Sequence, residues 1–151
     1  MELQNPYLIF LGDVPDALAA KTGLRIVDWR PEWCVGQWRL PGCQADAGLP
    51  EMDAAATAHA GARTMVVGSV NSGGQLPSHW VSSIVAALDA GLDVATGLHQ
   101  KLADVAEIRE AAERNGRRLI DVRHSTEKFA TGKGTKRSGK PFICTRSGTG
   151  C

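Results

Sequence analysis

The chain has 151 residues, 43% of them apolar and 22% charged, with a net charge of +1, a content that can bury one substantial core. No apolar run approaches membrane-spanning length, and the first residues lack the basic region of a targeting signal, so neither a membrane partner nor export is expected. Cys34, Cys43, Cys144 and Cys151 have no close metal-ligand spacing and are too few for a disulfide scaffold, which predicts no metal and a reducing, cytoplasmic compartment.

Tyr7-Leu8-Ile9-Phe10-Leu11 is a continuous apolar run of strand length followed by Gly12-Asp13, the pattern of a strand covered on both faces. A helix over 17–21 and a short strand over 24–27 are expected next. Residues 29–50 carry Pro31, Gly36, Pro41, Gly42, Gly48 and Pro50 with Trp29, Trp33 and Trp38 between them, which predicts an ordered irregular excursion. Its tryptophans are expected to form a satellite core beneath the loop, with Arg30 and Glu32 satisfying one another or the backbone. Asp28 and Glu32 stand where nucleic-acid binding needs basic residues among the aromatics, so no nucleic-acid partner is expected.

A phrase then repeats three times: helix, glycine, a burst of β-branched apolar residues. Asp53 caps a helix over 54–60 that Gly61 ends before Thr64-Met65-Val66-Val67. Ser78 is the expected cap of a helix whose face is Val81, Ile84, Val85 and Leu88, stopped by Gly91 before Leu92-Asp93-Val94-Ala95. Asp104 and Glu107 have capping-box-like spacing for a third helix, with Val105, Ile108 and Ala112 buried, Glu110 and Arg114 paired, and Gly116 ahead of Leu119-Ile120-Asp121-Val122. This alternation predicts an α/β fold, a Rossmann-like three-layer sandwich with a mostly parallel sheet.

In such a sheet the loops leaving the carboxyl ends of the strands converge and bind ligands. They carry Gly12 and Asp13, then Gly68, Asn71, Ser72, Gly73 and Gly74, then Thr96, Gly97 and His99, and finally Arg123 and His124. Gly73-Gly74 ahead of a helix lets a backbone approach a phosphate or carboxylate, or it supplies only a positive-φ turn. His99 is either a ligand contact or a surface capping residue. Arg123 suits a carboxylate or phosphate bidentately, or pairs with Asp121 or Glu127. The ligand-binding candidates are Asp13, Arg30, Asn71, Gly73, Gly74, His99, Arg123 and His124, with no general base assigned.

Between Arg123 and Lys140 stand six positive side chains against Glu127 alone, whereas residues 1–122 carry ten against fifteen carboxylates. Gly134 to Lys140 matches G-x-x-x-x-G-K, but Pro141 follows where a phosphate loop needs Ser or Thr, and no apolar strand precedes Gly134. A basic connector over 123–140 is the expectation, with a lid over an anionic ligand as the alternative reading. Phe142-Ile143-Cys144-Thr145 then reads as a new strand, before Gly148-Thr149-Gly150-Cys151.

These phrases together carry a resemblance. Trp29-Arg30-Pro31-Glu32, the glycine turn from Val67 to Gly74, Gly91-Leu92-Asp93-Val94-Ala95-Thr96-Gly97-Leu98-His99, Asp121-Val122-Arg123-His124 and the stretch from Gly132 to Lys140 resemble the N-terminal half of a bacterial family formerly of unknown function. That family joins a Rossmann-like domain to a P-loop NTPase-like domain and includes D-glutamate (D-amino acid) N-acetyltransferases. Its phosphate loop is of the kind Gly-Thr-Asp-Cys-Ser-Val-Gly-Lys; this chain has Gly150 where Asp is usual and Arg146-Ser147 in place of an apolar residue.

The resemblance implies a Rossmann-like domain over 1–122, the connector over 123–140, and over 141–151 the first strand and start of the phosphate loop of a second domain. It implies one wall of an acetyltransferase cleft, with acetyl-CoA or another nucleotide-type ligand used by the full-length protein, and a small anionic or amino acid ligand. The missing P-loop-like domain and a second copy of the chain are the implied protein partners. The competing expectation is a non-catalytic binding or assembly module.

Overall fold

In the computed structural model, residues 3–71 and 73–124 are described. The connector from residue 125 onward, the closing strand and Ser72 therefore lie outside the described residues. Five strands form one sheet: β1 (Tyr7–Gly12), β2 (Cys34–Arg39), β3 (Thr64–Val67), β4 (Asp93–Thr96) and β5 (Leu119–Asp121). All pairings are parallel, and the order is β2-β1-β3-β4-β5. The helices between them are α1 (Lys21–Trp29), α2 (Ala54–His59), α3 (Val81–Asp89) and α4 (Ala106–Asn115).

Parallel pairing needs a crossover after each strand, and a crossover places a helix on the sheet face. Ile9 and Leu11 meet Gly23 of α1, whereas Phe10 and Gly12 meet Trp80 at the foot of α3. Neighbouring residues of a strand point to opposite faces, so α1 and α3 sandwich β1. The four apolar strand runs read from the sequence are buried neighbours: Leu8, Ile9, Phe10 and Leu11 are inaccessible, as are Met65 and Val94, and Ile120 is nearly so. The α/β Rossmann-like sandwich is the fold observed. Among the described residues no helix is long and apolar enough to cross a membrane.

Three local expectations are corrected. Residues 24–27, expected as a strand, lie inside α1. Leu24, Ile26 and Val27 pack on the core while Arg25 and Asp28 pair outward at 3.1 Å, an i, i+3 contact available only to a helix. The helix expected over 17–21 is a turn that leads into it.

The excursion over 29–50 contains β2, which its glycines and prolines disguise. Gly36 is required there, because a Cβ would lie 3.0 Å from both Met52 Sδ and the Pro50 carbonyl. Gln37, 2% exposed, organises the rest. Its amide donates to Pro50, its carbonyl accepts from Met52, and its side chain bonds Asp46 and the Ala47 amide. The tryptophans do not share one satellite core: Trp38 meets Phe10 and Trp33 meets Tyr7 edge-on, but Trp29 is 77% exposed. Arg30 lies over the Trp33 ring at 5.0 Å instead of pairing with Glu32.

Two caps and one ion pair also differ. Asp53 caps α2 as expected, accepting from the Ala56 amide at 2.8 Å. Ser78 and Asp104 instead belong to short 3-10 turns before α3 and α4, and neither helix has a side-chain cap. Arg114 bonds Asp89 of α3 at 2.7 Å in place of Glu110, tying the two helices together.

Candidate functional site at the carboxyl edge of the sheet

The strand order leaves a topological switch between β1 and β3, since β1 continues to one side and β3, β4 and β5 extend to the other. Open α/β sheets bind ligands outside the carboxyl ends of such strands. There the structure has a cleft of about 550 Å³ lined by Lys21 and Thr22 of α1, Asn71, Gly73 and Gly74 after β3, Gly97 and His99 after β4, and Arg123 after β5. Five of the residues read from the sequence, Asn71, Gly73, Gly74, His99 and Arg123, thus meet in one cleft.

The floor of this edge is set by two glycines. Gly23 of α1 donates its amide to the Gly68 carbonyl at 2.7 Å, and a Cβ on Gly68 would lie 2.6 Å from the Gly23 Cα. Close helix-to-strand contact brings Lys21 and Thr22 over the ends of the strands. The sequence did not single them out; the signal was Lys21-Thr22-Gly23 opening a helix after β1, hidden by reading 24–27 as a strand.

The turn after β3 holds His99 in place. Gly73 and Gly74 have φ of 90° and 64°, so the positive-φ role is real. The Gly74 carbonyl accepts from the His99 amide at 2.9 Å, and a Cβ on Gly74 would stand 2.3 Å from His99 Cδ2. His124 sits behind, its Nε2 donating to the His99 carbonyl at 2.9 Å.

Arg123 does not bond Asp121, and Glu127, the other expected carboxylate, lies outside the described residues. The Arg123 Nε donates to the Gly97 carbonyl at 2.6 Å, while Asp121 Oδ1 accepts from the Leu102 amide at 3.0 Å. Among the described residues, neither Lys21 nor Arg123 has an ion-pair partner, and no carboxylate lines the cleft. Two cations and a glycine turn lining one cleft make an anion-accepting surface.

The other two candidates lie elsewhere. Asp13 is at the same edge but on the α3 side, where Oδ1 accepts from the Trp80 indole at 2.7 Å and Oδ2 meets His79 Nε2 at 2.9 Å. The indole hydrogen bond, then that from His79, holds the Asp13 carboxyl below its usual range. His79 was not read from the sequence, because nothing local links it to a residue 66 positions away. Arg30 is at the amino edge of the sheet, beside Trp33. A larger hollow of about 740 Å³ opens at that edge, lined by Leu3, Gln4, Asn5 and Trp33 among others, but its Arg118 is committed to Asp93. Among the described residues no cluster of His, Cys, Asp or Glu is arranged to hold a metal.

A diphosphate-bearing cofactor does not fit at the β1–α1 turn, the usual pyrophosphate position of a doubly wound fold. The Trp80 ring covers Gly12, where a Cβ would stand 2.3 Å from Cζ2, and the Gly23 amide is spent on Gly68.

Comparison with known proteins agrees with the fold. A family model described as a domain of unknown function, DUF1611_N, a Rossmann-like domain, matches residues 38–125. A D-glutamate N-acetyltransferase of Tritonibacter scottomollicae is 46% identical over 99% of this chain, and one of a Pseudoalteromonas species is 39% identical over 100% of it. The chain spans 44% and 45% of the length of these two relatives. The crystal structure of a DUF1611 family protein from Anabaena variabilis superposes with a TM-score of 0.68 over 89% of this chain and 41% of that one, at 20% identity, a likeness of fold.

Proposed function

The chain belongs to the DUF1611_N family of Rossmann-like domains, and we propose that it is the acceptor-holding half of a D-amino acid N-acetyltransferase acting on D-glutamate. The observation that carries the reading is the cleft itself, which Lys21 and Arg123 both line without a carboxylate partner among the described residues. An amino acid with two carboxylates satisfies both cations at once, and the names of the two relatives supply the reaction.

Arg123 is prepared for this task. With Nε fixed on Gly97, its terminal nitrogens remain for a carboxylate in a set orientation. Lys21 lines the same cleft from the first turn of α1, where the helix end adds partial positive charge. Asn71 and the Gly73-Gly74 turn bring further polar groups to that cleft. Since the β1–α1 turn does not admit a diphosphate, acetyl-CoA is assigned to the portion of the full-length protein beyond this domain, the P-loop-like partner implied by the resemblance.

Calorimetric titration with D-glutamate, L-glutamate and D-alanine tests the reading. D-glutamate binding that weakens by about tenfold or more in K21A and in R123A, about 1.4 kcal/mol each, is the expected outcome. Equal affinity for D-alanine, or binding indifferent to both substitutions, overturns it. Acetyl transfer by the full-length polypeptide, and none by residues 1–151 alone, separates a half-site from a module without catalytic part.

A further inference from the structure

The cleft contains one side chain whose chemistry is proton transfer rather than charge neutralisation. We propose that His99 is the catalytic base, the group that takes the proton from the α-ammonium of the amino acid held between Lys21 and Arg123. The inference rests on the functional reading above and assigns it a residue.

His99 is exposed to the cleft while its backbone is pinned on both sides. Its amide donates to the Gly74 carbonyl, its own carbonyl accepts from His124 Nε2, and its ring rests against the Cα of Gly74. Among the described residues neither ring nitrogen has a hydrogen-bond partner, so the imidazole is positioned by backbone and packing, leaving its nitrogens for a ligand. A base that must meet a substrate proton needs this combination of fixed placement and free lone pair.

The surrounding charges suit the role. The charged and titratable groups that share the cleft with His99 or bond it are Lys21 of α1, Arg123 after β5 and, at the His99 carbonyl, His124. None is a carboxylate, and imidazole is the side chain whose chemistry suits proton transfer near neutral pH. With the carboxylates of the amino acid on the two cations, its ammonium is the group left for the imidazole in the same cleft. One N–H bond of the ammonium breaks and one N–H bond of the imidazolium forms. The amine lone pair released is the attacking group that an acyl thioester requires.

The test uses the full-length polypeptide that carries this domain. Initial rates of D-glutamate acetylation are followed from about pH 6 to about pH 9 for the wild type, H99Q and H99A, alongside calorimetric affinity for D-glutamate. H99Q is expected to bind within about threefold of wild type, to lose on the order of 10²–10⁴-fold in kcat, and to lose the rise of kcat with pH. Added imidazole is expected to restore part of the H99A rate. Wild-type acetylation with H99Q turning over as fast, on an unchanged pH profile, overturns the role alone. Loss confined to D-glutamate affinity also overturns it, making His99 a binding residue. A wild type that neither binds nor acetylates D-glutamate defeats the functional reading and this role with it.

Discussion

The Gly23 amide and the Gly68 carbonyl meet at 2.7 Å, closer than any side chain between helix and strand would allow. A Cβ on Gly68 would lie 2.6 Å from the Gly23 Cα and 3.0 Å from its nitrogen, both backbone atoms that cannot swing aside. Gly68→Ala therefore forces α1 away from β3. The expected cost is about 1–3 kcal/mol in a urea titration, with weaker D-glutamate binding because Lys21 and Thr22 move with the helix. Unchanged stability would show that the contact is not held in solution.

Asp13 gives a pH dependence of known sign. The Trp80 indole first and His79 second depress its carboxyl pKa. The stability it contributes is thus fully present above the ordinary carboxylate range, about pH 4, and is lost as pH falls through the depressed folded value. Asp13→Asn removes this term, so the variant is expected to lose less stability than wild type on acidification, with altered Trp80 emission at neutral pH. Identical acid profiles for the two proteins would refute it.

The sheet was legible because its strands are buried on both faces and so spell continuous apolar runs, as in Leu8 to Leu11 and Thr64 to Val67. β2 was not, because an edge strand folded over by its own loop needs Gly36 beneath Met52 and Pro50 beside Gln37, residues that read locally as breakers. α1 was misread for the opposite reason: Leu24, Ile26 and Val27 are β-like in composition, and Gly23 looked like punctuation when it is the contact that seats the helix. Five cleft residues were found by the rule that strand ends converge. Asp13 was read by the same rule, but its pairing with His79 was not, since that contact depends on how β1 lies against α3 rather than on any spacing.

The Arg118–Asp93 pair separates structural from functional arginines. Asp93 has a side chain 7% exposed and accepts from Arg118 through its amide at 2.9 Å and Nε at 2.7 Å. Arg118→Ala leaves that carboxylate with the backbone bond alone, at an expected cost of about 1–3 kcal/mol. Arg25→Ala removes an ion pair in which both partners are largely exposed and is expected to cost under about 1 kcal/mol. Arg123→Ala should resemble Arg25→Ala in denaturant and differ from both in ligand affinity. Equal thermal and chemical stability of the Arg118 and Arg25 variants would contradict this ordering.

Gly73 and Gly74 provide a paired control on the cleft. Both have positive φ, so alanine at either position carries backbone strain of about 1–2 kcal/mol. Their surroundings differ: a Cβ on Gly73 meets nothing within 4 Å, whereas one on Gly74 would stand 2.3 Å from His99 Cδ2. Gly73→Ala should therefore lose stability while leaving the His99 imidazole resonances in place. Gly74→Ala should lose a similar amount and also shift those resonances, because the ring must leave the surface it rests on. In the full-length protein kcat should fall further in Gly74→Ala than in Gly73→Ala, the difference that a displaced proton acceptor produces. Imidazole resonances unmoved by Gly74→Ala, or equal kcat losses in the two variants, would mean that the turn does not position His99.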